Sequence, residues 1–223
     1  MAAGAPDSDA SRVIELPTPH GVSRVHLRLA AHPAGALVLG HGAGGGVGTT
    51  DLLAAAGAAR SLGMSAALVE QPYLVAGRRN QAPAPQLDDA WSAVIAALRD
   101  EALRGLRLIA GGRSAGARVA CRTAARVDAS AVLCLAFPLH PPGRGDDPAK
   151  SRLAELDAVA VPTLVVQGER DPFGMPPEGP QRVVVRVPGS HALRSGARVA
   201  GAVHEWLAAR LAERPSRAAA RHG

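Results

Sequence analysis

The 223-residue sequence has few aromatic residues, only two cysteines and a single lysine, Lys150. Aromatic residues make up 2% of the chain, so Ala, Val and Leu must fill its core, and such short side chains suit tight packing of helices on a sheet. Cys121 and Cys134 form no CxxC motif and lie in apolar stretches. They are therefore predicted to be two buried thiols in a reducing compartment.

Long apolar runs are also missing. No stretch approaches the roughly 18 consecutive apolar residues of a membrane-spanning helix. The first residues, 1–11, contain Asp7 and Asp9 and no apolar run, which does not fit a secretory signal peptide. We therefore expect a cytoplasmic protein without membrane contact.

The formal net charge of +6 raises the possibility of a nucleic-acid partner. Phosphate-binding surfaces usually cluster their charge, however, and no stripe of basic residues interleaved with aromatics occurs in this sequence. A mildly basic, solvated surface is the simpler interpretation. We predict no nucleic-acid partner.

Short apolar segments alternate with amphipathic ones along most of the chain. This alternation predicts a mostly parallel sheet covered by helices on both faces, a three-layer α/β/α sandwich. The predicted strands are Arg12–Leu16, Val22–Leu29, Ala36–Leu39, Ser65–Val69, Leu106–Ala110, Ala131–Leu135, Thr163–Gln167 and Val183–Val187. The predicted helices are Asp51–Leu62, Leu87–Leu103, Ala115–Arg126, Leu153–Val159 and Leu193–Leu211.

The first two strands precede any helix, so we expect them to form an antiparallel edge of the sheet. We predict one domain, residues 12–213, with disordered tails at 1–11 and 214–223 and no inserted lid domain. The irregular stretch Gln71–Gln86 is predicted to be a loop over the functional site.

The clearest chemical motif is GRSAG, with Ser114 at its centre. It follows a predicted strand and opens a predicted helix, which is the context of a nucleophile elbow. In such a tight turn bulky neighbours would collide, so Gly112 and Gly116 stand two positions either side of the serine. The alternative is a Gly-rich turn in which Ser114 only caps a helix.

A serine hydroxyl needs a base that is held by a third group, and in this architecture the acid and then the histidine follow the serine in the chain. Asp171 and His191 each lie just past the end of a predicted strand, where parallel sheets place their sites. Chain order and position therefore predict Ser114 as nucleophile, His191 as base and Asp171 as orienting acid. The rival acids are Glu169, Asp146 and Asp147.

The segment GHGAGGG begins at Gly40, directly after an early strand. In a hydrolase, the amide near Ala43 would join the amide of Ala115 in an oxyanion hole. His41 is predicted to brace this loop by hydrogen bonding and not to act as the base.

The same loop supports a second hypothesis. Gly40, Gly42 and Gly45 fit the dinucleotide-binding pattern GxGxxG, and Glu70 ends the next predicted strand, about where a ribose-binding acid would stand. This interpretation leaves Ser114, Asp171 and His191 unexplained. A Walker phosphate loop fits less well, because the segment contains no lysine.

Four segments together resemble one group of small, lidless α/β-hydrolases, the dienelactone-hydrolase-like proteins. This family includes testis-expressed hydrolase-like proteins and a subunit of a nuclear acetyltransferase complex. The segments are HGAGG at His41–Gly45, GGRSAG at Gly111–Gly116, LHPPG at Leu139–Gly143 and PTLVVQGERDPFG at Pro162–Gly174.

The resemblance covers roughly residues 12–212. It implies an α/β-hydrolase fold, a triad of Ser114, Asp171 and His191, and an oxyanion hole from the amides of Ala43 and Ala115. The sequence departs from the family at Ser190, where relatives commonly have Asp before the histidine. Dienelactone hydrolases proper also use cysteine as the nucleophile.

The expected function is therefore hydrolysis of a small ester or thioester through an acyl-enzyme, without a metal or organic cofactor. The alternatives are a hydrolase-fold interaction module without turnover and the dinucleotide-binding protein. The pattern leaves open the oligomeric state and whether Arg78, Arg79 and Arg113 favour an anionic substrate.

Overall fold

The computed structural model describes residues 11–144 and 147–213. Eight strands form one sheet: β1 Ser11–Thr18, β2 Gly21–Arg28, β3 Ala36–Gly40, β4 Ser65–Glu70, β5 Leu108–Arg113, β6 Ala131–Leu135, β7 Thr163–Gly168 and β8 Arg182–Val187. The α-helices are α1 Thr50–Ser61, α2 Pro72–Val75, α3 Ala84–Asp100, α4 Ala115–Thr123, α5 Leu153–Asp157 and α6 Gly196–Ala212, with a 3-10 helix at Pro148–Lys150.

The strand order is β1-β2-β4-β3-β5-β6-β7-β8. β1 pairs with β2, and β2 with β4, in antiparallel fashion, whereas every pair from β4 to β8 is parallel. The predicted parallel sheet with an antiparallel edge is confirmed. Because the parallel strands end at the same edge, the loops that follow β3, β5, β6, β7 and β8 come together there.

The sheet separates two apolar cores. Successive side chains of a strand point to opposite faces, so in β3 the side chain of Val38 lies in one core and those of Leu37 and Leu39 lie in the other. The first core is closed by α3 and α4 and contains Trp91, and the second is closed by α1 and α6. The predicted three-layer sandwich is confirmed.

The two cysteines meet in the first core. Their sulfur atoms are 3.5 Å apart, and both residues are free and buried. The hydrogen bond with Cys121, together with burial, raises the pKa of the Cys134 thiol well above its ordinary value. Cys134 therefore stays protonated and acts as a small apolar residue of the core.

The predicted loop Gln71–Gln86 is wrong in part. The helix α2 lies within it, and α3 begins at Ala84, before the predicted start at Leu87. This stretch contains prolines, and proline is well suited to the first turn of a helix, where its missing N–H has no partner to lose. Pro72 is the first residue of α2, and Pro85 is the second of α3.

The predicted tails lie outside the described residues, apart from Ser11, which begins β1. The helix α4 ends at Thr123 and not at the predicted Arg126.

Within residues 11–144 and 147–213, no helix combines the length and apolarity that a membrane span requires.

Two helical glycines provide a test of backbone packing at the sheet edge. A Cβ on Gly116 of α4 would overlap the carbonyl oxygen of Gly40 and lie 2.6 Å from its carbonyl carbon, whereas a Cβ on Gly201 of α6 would meet nothing within 4 Å. We expect Gly116→Ala to lower the free energy of unfolding by about 1–3 kcal/mol through overpacking.

Gly201→Ala is the matched control, and it should raise the free energy of unfolding by up to about 1 kcal/mol through helix propensity. Urea unfolding of both variants measures the difference. Equal effects of the two substitutions would contradict the close approach of α4 to β3.

Candidate active site

Ser114 occupies the turn between β5 and α4 in a disfavoured backbone conformation, with φ 52° and ψ −111°. Such a conformation costs about 1–3 kcal/mol and persists only where neighbouring structure enforces it. A Cβ on Gly112 would lie 2.6 Å from the carbonyl carbon of Gly116 and 2.7 Å from the carbonyl oxygen of Gly40. The two glycines of the motif therefore let three backbone segments meet under the serine.

The Ser114 side chain does not cap α4, although the residue stands at the N-cap position. Its Oγ is instead 2.9 Å from Nε2 of His191, and its backbone N–H donates to the Leu135 carbonyl at 2.9 Å. The capping interpretation of this serine is therefore wrong. The hydroxyl is presented to the imidazole.

The other ring nitrogen of His191 faces a carboxylate. Nδ1 is 2.9 Å from Oδ2 of Asp171. An ionised carboxylate only accepts hydrogen bonds, so Nδ1 donates to it, and Nε2 is left as the acceptor for the Ser114 hydroxyl. The structure thus brings the three predicted residues together in one hydrogen-bonded chain, although 77 positions separate Ser114 from His191.

The Asp171 side chain is completely buried, whereas that of His191 is 17% exposed. A buried carboxylate must be saturated by donors, and two groups besides His191 meet this need. Gln167 Nε2 donates to the same Oδ2, and the Phe173 backbone N–H donates to Oδ1, each at 2.9 Å. The aspartate is therefore fixed on three sides.

Gln167 and Phe173 are site residues that sequence reasoning missed. Gln167 Nε2 also lies 3.0 Å from the Phe137 carbonyl oxygen and 2.9 Å from that of Gly174, so its two N–H hydrogens are shared among these carbonyls and the Asp171 carboxylate. The Phe173 ring packs on the His191 imidazole with 4.3 Å between ring centroids. The sequence did contain one signal for Gln167, because it is a polar residue near the end of the otherwise apolar strand β7.

The loops that carry the acid and the histidine are joined through their backbones. The Arg170 N–H donates to the Gly189 carbonyl at 2.9 Å. A Cβ on Gly168 would lie 2.5 Å from the Ser190 carbonyl oxygen, so only glycine allows this approach. Gly189 has φ 126°, a conformation that suits glycine.

The Gly-rich loop after β3 lies beside the serine. A Cβ on Gly42 would be 3.3 Å from the Ser114 Cβ. Ala43, the next residue, is exposed, and Ala115 is the first residue of α4, where a helix N–H has no acceptor within its own helix. The structure therefore places both predicted oxyanion donors on segments that flank Ser114.

His41 braces this loop from beneath. It is buried, its Nε2 accepts from the Gln71 backbone N–H at 3.0 Å, and its Nδ1 donates to the Gly42 carbonyl at 2.7 Å. The Tyr73 hydroxyl donates to the Ala43 carbonyl at 3.3 Å and its ring packs near His41. Burial lowers the pKa of His41, so the ring stays neutral.

Among the described residues, none of the remaining candidates takes part in this chain of hydrogen bonds. Glu169 is exposed, Asp147 caps the 3-10 helix through the Ala149 N–H, and Asp146 lies outside the described residues. Arg78 and Arg79 are exposed. Within the described parts of the chain, no group of three or more His, Cys, Asp or Glu side chains is arranged to hold a metal ion.

The dinucleotide hypothesis relied on the loop and on Glu70. Glu70 lies against the His26 and Arg24 side chains of β2. The helix that would receive a pyrophosphate, α1, begins at Thr50, well after Gly45. In the dinucleotide fingerprint the glycines themselves open the helix.

The fold and this geometry agree with a comparison against protein families. Residues 33–203 match the model of the alpha/beta hydrolase domain. The chain belongs to this family. The predicted α/β-hydrolase fold is thereby confirmed.

Solved structures agree with the family assignment. A serine hydrolase without a lid from Xanthomonas campestris has a TM-score of 0.73 at 22% identity, over 96% of this chain and 100% of the other. Est1E from Butyrivibrio proteoclasticus reaches 0.73 at 15% identity, over 90% of this chain and 99% of its own. A dienelactone hydrolase from Anabaena variabilis reaches 0.69 at 15% identity, over 92% and 97% of the two chains.

None of the curated proteins matches this sequence. The broad resemblance to lidless, dienelactone-hydrolase-like proteins is confirmed at the level of fold. The narrower resemblance, to testis-expressed proteins and the acetyltransferase-complex subunit, stays a prediction.

The bracing role of His41 makes a spectroscopic prediction. Because burial lowers its pKa, the ring should remain the neutral Nδ1–H tautomer as the pH falls through about 6.5, where a free histidine is half protonated. The unfolded chain takes up this proton first, so the stabilisation that depends on the neutral ring is lost as the pH falls. Nitrogen-15 correlation spectra of the imidazoles measure the tautomer, and titration of His41 at or above 6.5 would contradict the assignment.

Proposed function

We propose that this protein is a serine hydrolase that cleaves a small ester or thioester through an acyl-enzyme. Ser114 is the nucleophile, His191 the general base and Asp171 the acid that orients the imidazole. The amides of Ala43 and Ala115 form the oxyanion hole.

In the first half-reaction, the Ser114 Oγ attacks the acyl carbonyl carbon while His191 Nε2 takes the hydroxyl proton. The carbonyl oxygen becomes an oxyanion, which accepts hydrogen bonds from the two amides. Asp171 stabilises the imidazolium that forms. Collapse of the tetrahedral intermediate breaks the bond to the leaving alcohol or thiol, which receives the proton from His191.

In the second half-reaction, water takes the place of the leaving group. His191 accepts a proton from this water, whose oxygen attacks the acyl carbon. The second tetrahedral intermediate breaks its bond to Ser114 Oγ, and His191 returns the proton to the serine. The carboxylic acid leaves and the enzyme is restored.

One observation carries the proposal: the Ser114 hydroxyl lies 2.9 Å from an imidazole whose other nitrogen lies 2.9 Å from a buried carboxylate. A serine with only a structural role at this position would cap α4, and Ser114 does not. Strain at φ 52° is a further feature of serines held for attack.

The first test is Ser114→Ala. We expect it to reduce the hydrolysis of p-nitrophenyl acetate by about 10³-fold or more, because loss of the nucleophile removes the acyl-enzyme route. Ser61→Ala, at the end of α1, is the control and should keep wild-type turnover. Full turnover by folded Ser114→Ala would refute the proposal.

A fluorophosphonate probe separates the enzyme from an idle interaction module. An activated serine reacts covalently with the probe, so mass spectrometry should place the label on Ser114, and His191→Gln should abolish it. A wild-type chain that stays unlabelled favours the interaction module. Protection of the chain against thermal unfolding by NAD(P) would instead favour the dinucleotide hypothesis.

The chain length of the substrate is the next expectation. Between β6 and β7, the described residues form only the 3-10 helix and the five-residue helix α5, so no covering domain stands over Ser114 there. We expect kcat/KM for p-nitrophenyl esters to fall from acetate and butyrate to octanoate and longer chains. Faster turnover of the long-chain esters would overturn this preference.

A further inference from the structure

Arg113, the residue directly before Ser114, joins two segments of the site. One is the nucleophile turn, which connects β5 to α4 at Ser114, and the other is the histidine loop, residues 188–195, which carries His191. Its Nη2 donates to the backbone carbonyl of His191 at 3.2 Å, and its Nε donates to Oδ2 of Asp51 at 3.1 Å. The Arg113 side chain is only 16% exposed and that of Asp51 is fully buried. Two of the guanidinium nitrogens therefore donate to a carboxylate and to a carbonyl, and these bonds hold the side chain between α1 and the loop of His191.

Asp51 fixes the direction of the arginine. It lies in the first turn of α1, and its second oxygen, Oδ1, accepts from the Leu52 N–H at 2.9 Å. A buried carboxylate that loses its cationic partner is strongly destabilising, so Asp51 holds the guanidinium in place. The planar fork of arginine supplies separate nitrogens for Asp51 and for His191, which the single ammonium of lysine does not.

The Gly-rich loop after β3 leaves room for the Arg113 guanidinium. A Cβ on Gly42 would lie 2.7 Å from Nη1 of Arg113, so a side chain at that position would push the guanidinium from its present place. The absent side chain of Gly42 therefore admits the guanidinium between the Gly-rich loop and the histidine loop.

The histidine loop needs such a tie. It runs between β8 and α6 without regular structure, and its residues Gly189 and Leu193 both have positive φ, 126° and 42°. Asp171 fixes the imidazole at Nδ1, but the ring also depends on where the His191 backbone lies. The bond from Arg113, the last residue of β5, fixes this backbone against the strand that leads into Ser114.

We infer that Arg113, held by the buried carboxylate of Asp51, is a positioning residue that sets the His191 imidazole at hydrogen-bond distance from Ser114. The inference rests on the proposed hydrolase function. It assigns a task to the variable position before the serine in the GRSAG motif and to an aspartate on a helix outside that motif.

Arg113→Lys is the main test, since it keeps a positive charge beside Asp51 but gives up the fork. We expect kcat for p-nitrophenyl acetate to fall at least about tenfold, with KM changed less than about twofold, because a small misplacement of a catalytic group lowers the rate more than binding. The rate of fluorophosphonate labelling should fall with kcat.

Arg122 provides a matched control on α4. Its side chain is 20% exposed and forms a bidentate pair with Asp88 at 2.6 and 2.8 Å, remote from the histidine loop. Arg122→Lys should therefore leave kcat and labelling near wild type. Should Arg113→Lys unfold, Arg113→Met with Asp51→Asn leaves no buried charge, and Arg122→Met with Asp88→Asn is its control.

The Nδ1–H proton of His191 gives a readout that does not require turnover. Its proton resonance should weaken or exchange faster in the Arg113 variants and persist in the Arg122 variants. Wild-type kcat, labelling and Nδ1–H signal in a folded Arg113 variant would overturn the inference. Failure of the hydrolase proposal itself is distinguished by a wild-type chain that neither hydrolyses esters nor takes the label.

Discussion

The buried carboxylate of Asp171 is the constraint on which the candidate site depends. A charge with no solvent contact is tolerated only when donors saturate it, and three donors do so: the imidazole of His191, the amide of Gln167 and the backbone N–H of Phe173. Once the acid is fixed, the tautomer of His191 is fixed as well, because Nδ1 must donate. The nitrogen that faces Ser114 is then an acceptor.

Close backbone contact at the sheet edge is the second constraint. Gly112 and Gly116 allow the turn after β5 to press against Gly40 at the end of β3, and Gly168 allows the end of β7 to meet the histidine loop at Ser190. The contacts of Gly112 and Gly116 surround Ser114, whose backbone conformation is strained. The small residues at this edge therefore determine how accurately separate loops converge.

Buried polar side chains fix the loops from below and from the side. His41 binds the Gly-rich loop to Gln71, and Asp51 with Arg113 binds α1 and the nucleophile turn to His191. His41 and Arg113 direct hydrogen bonds at the backbone of a loop, so loss of either would free a loop and not merely a side chain, and Asp51 acts through Arg113. The loops of the site therefore share partners with the core.

Residue patterns and motif order alone were enough to predict the layers, the strands and the three residues of the hydrogen-bonded chain. Apolar periodicity and short motifs are properties of local sequence, so the strand at Ala131–Leu135 and the turn at Ser114 could be predicted from them. The same reasoning treated Gln71–Gln86 as one irregular loop and missed α2, which begins at Pro72. The further side chains that support the site could be assigned only from the folded chain. Gln167 reaches Asp171, and Arg113 reaches both Asp51 and the His191 carbonyl. Such contacts arise from the packing of segments that are far apart in the chain. No local sequence pattern identifies which of their side chains folding brings within hydrogen-bond distance.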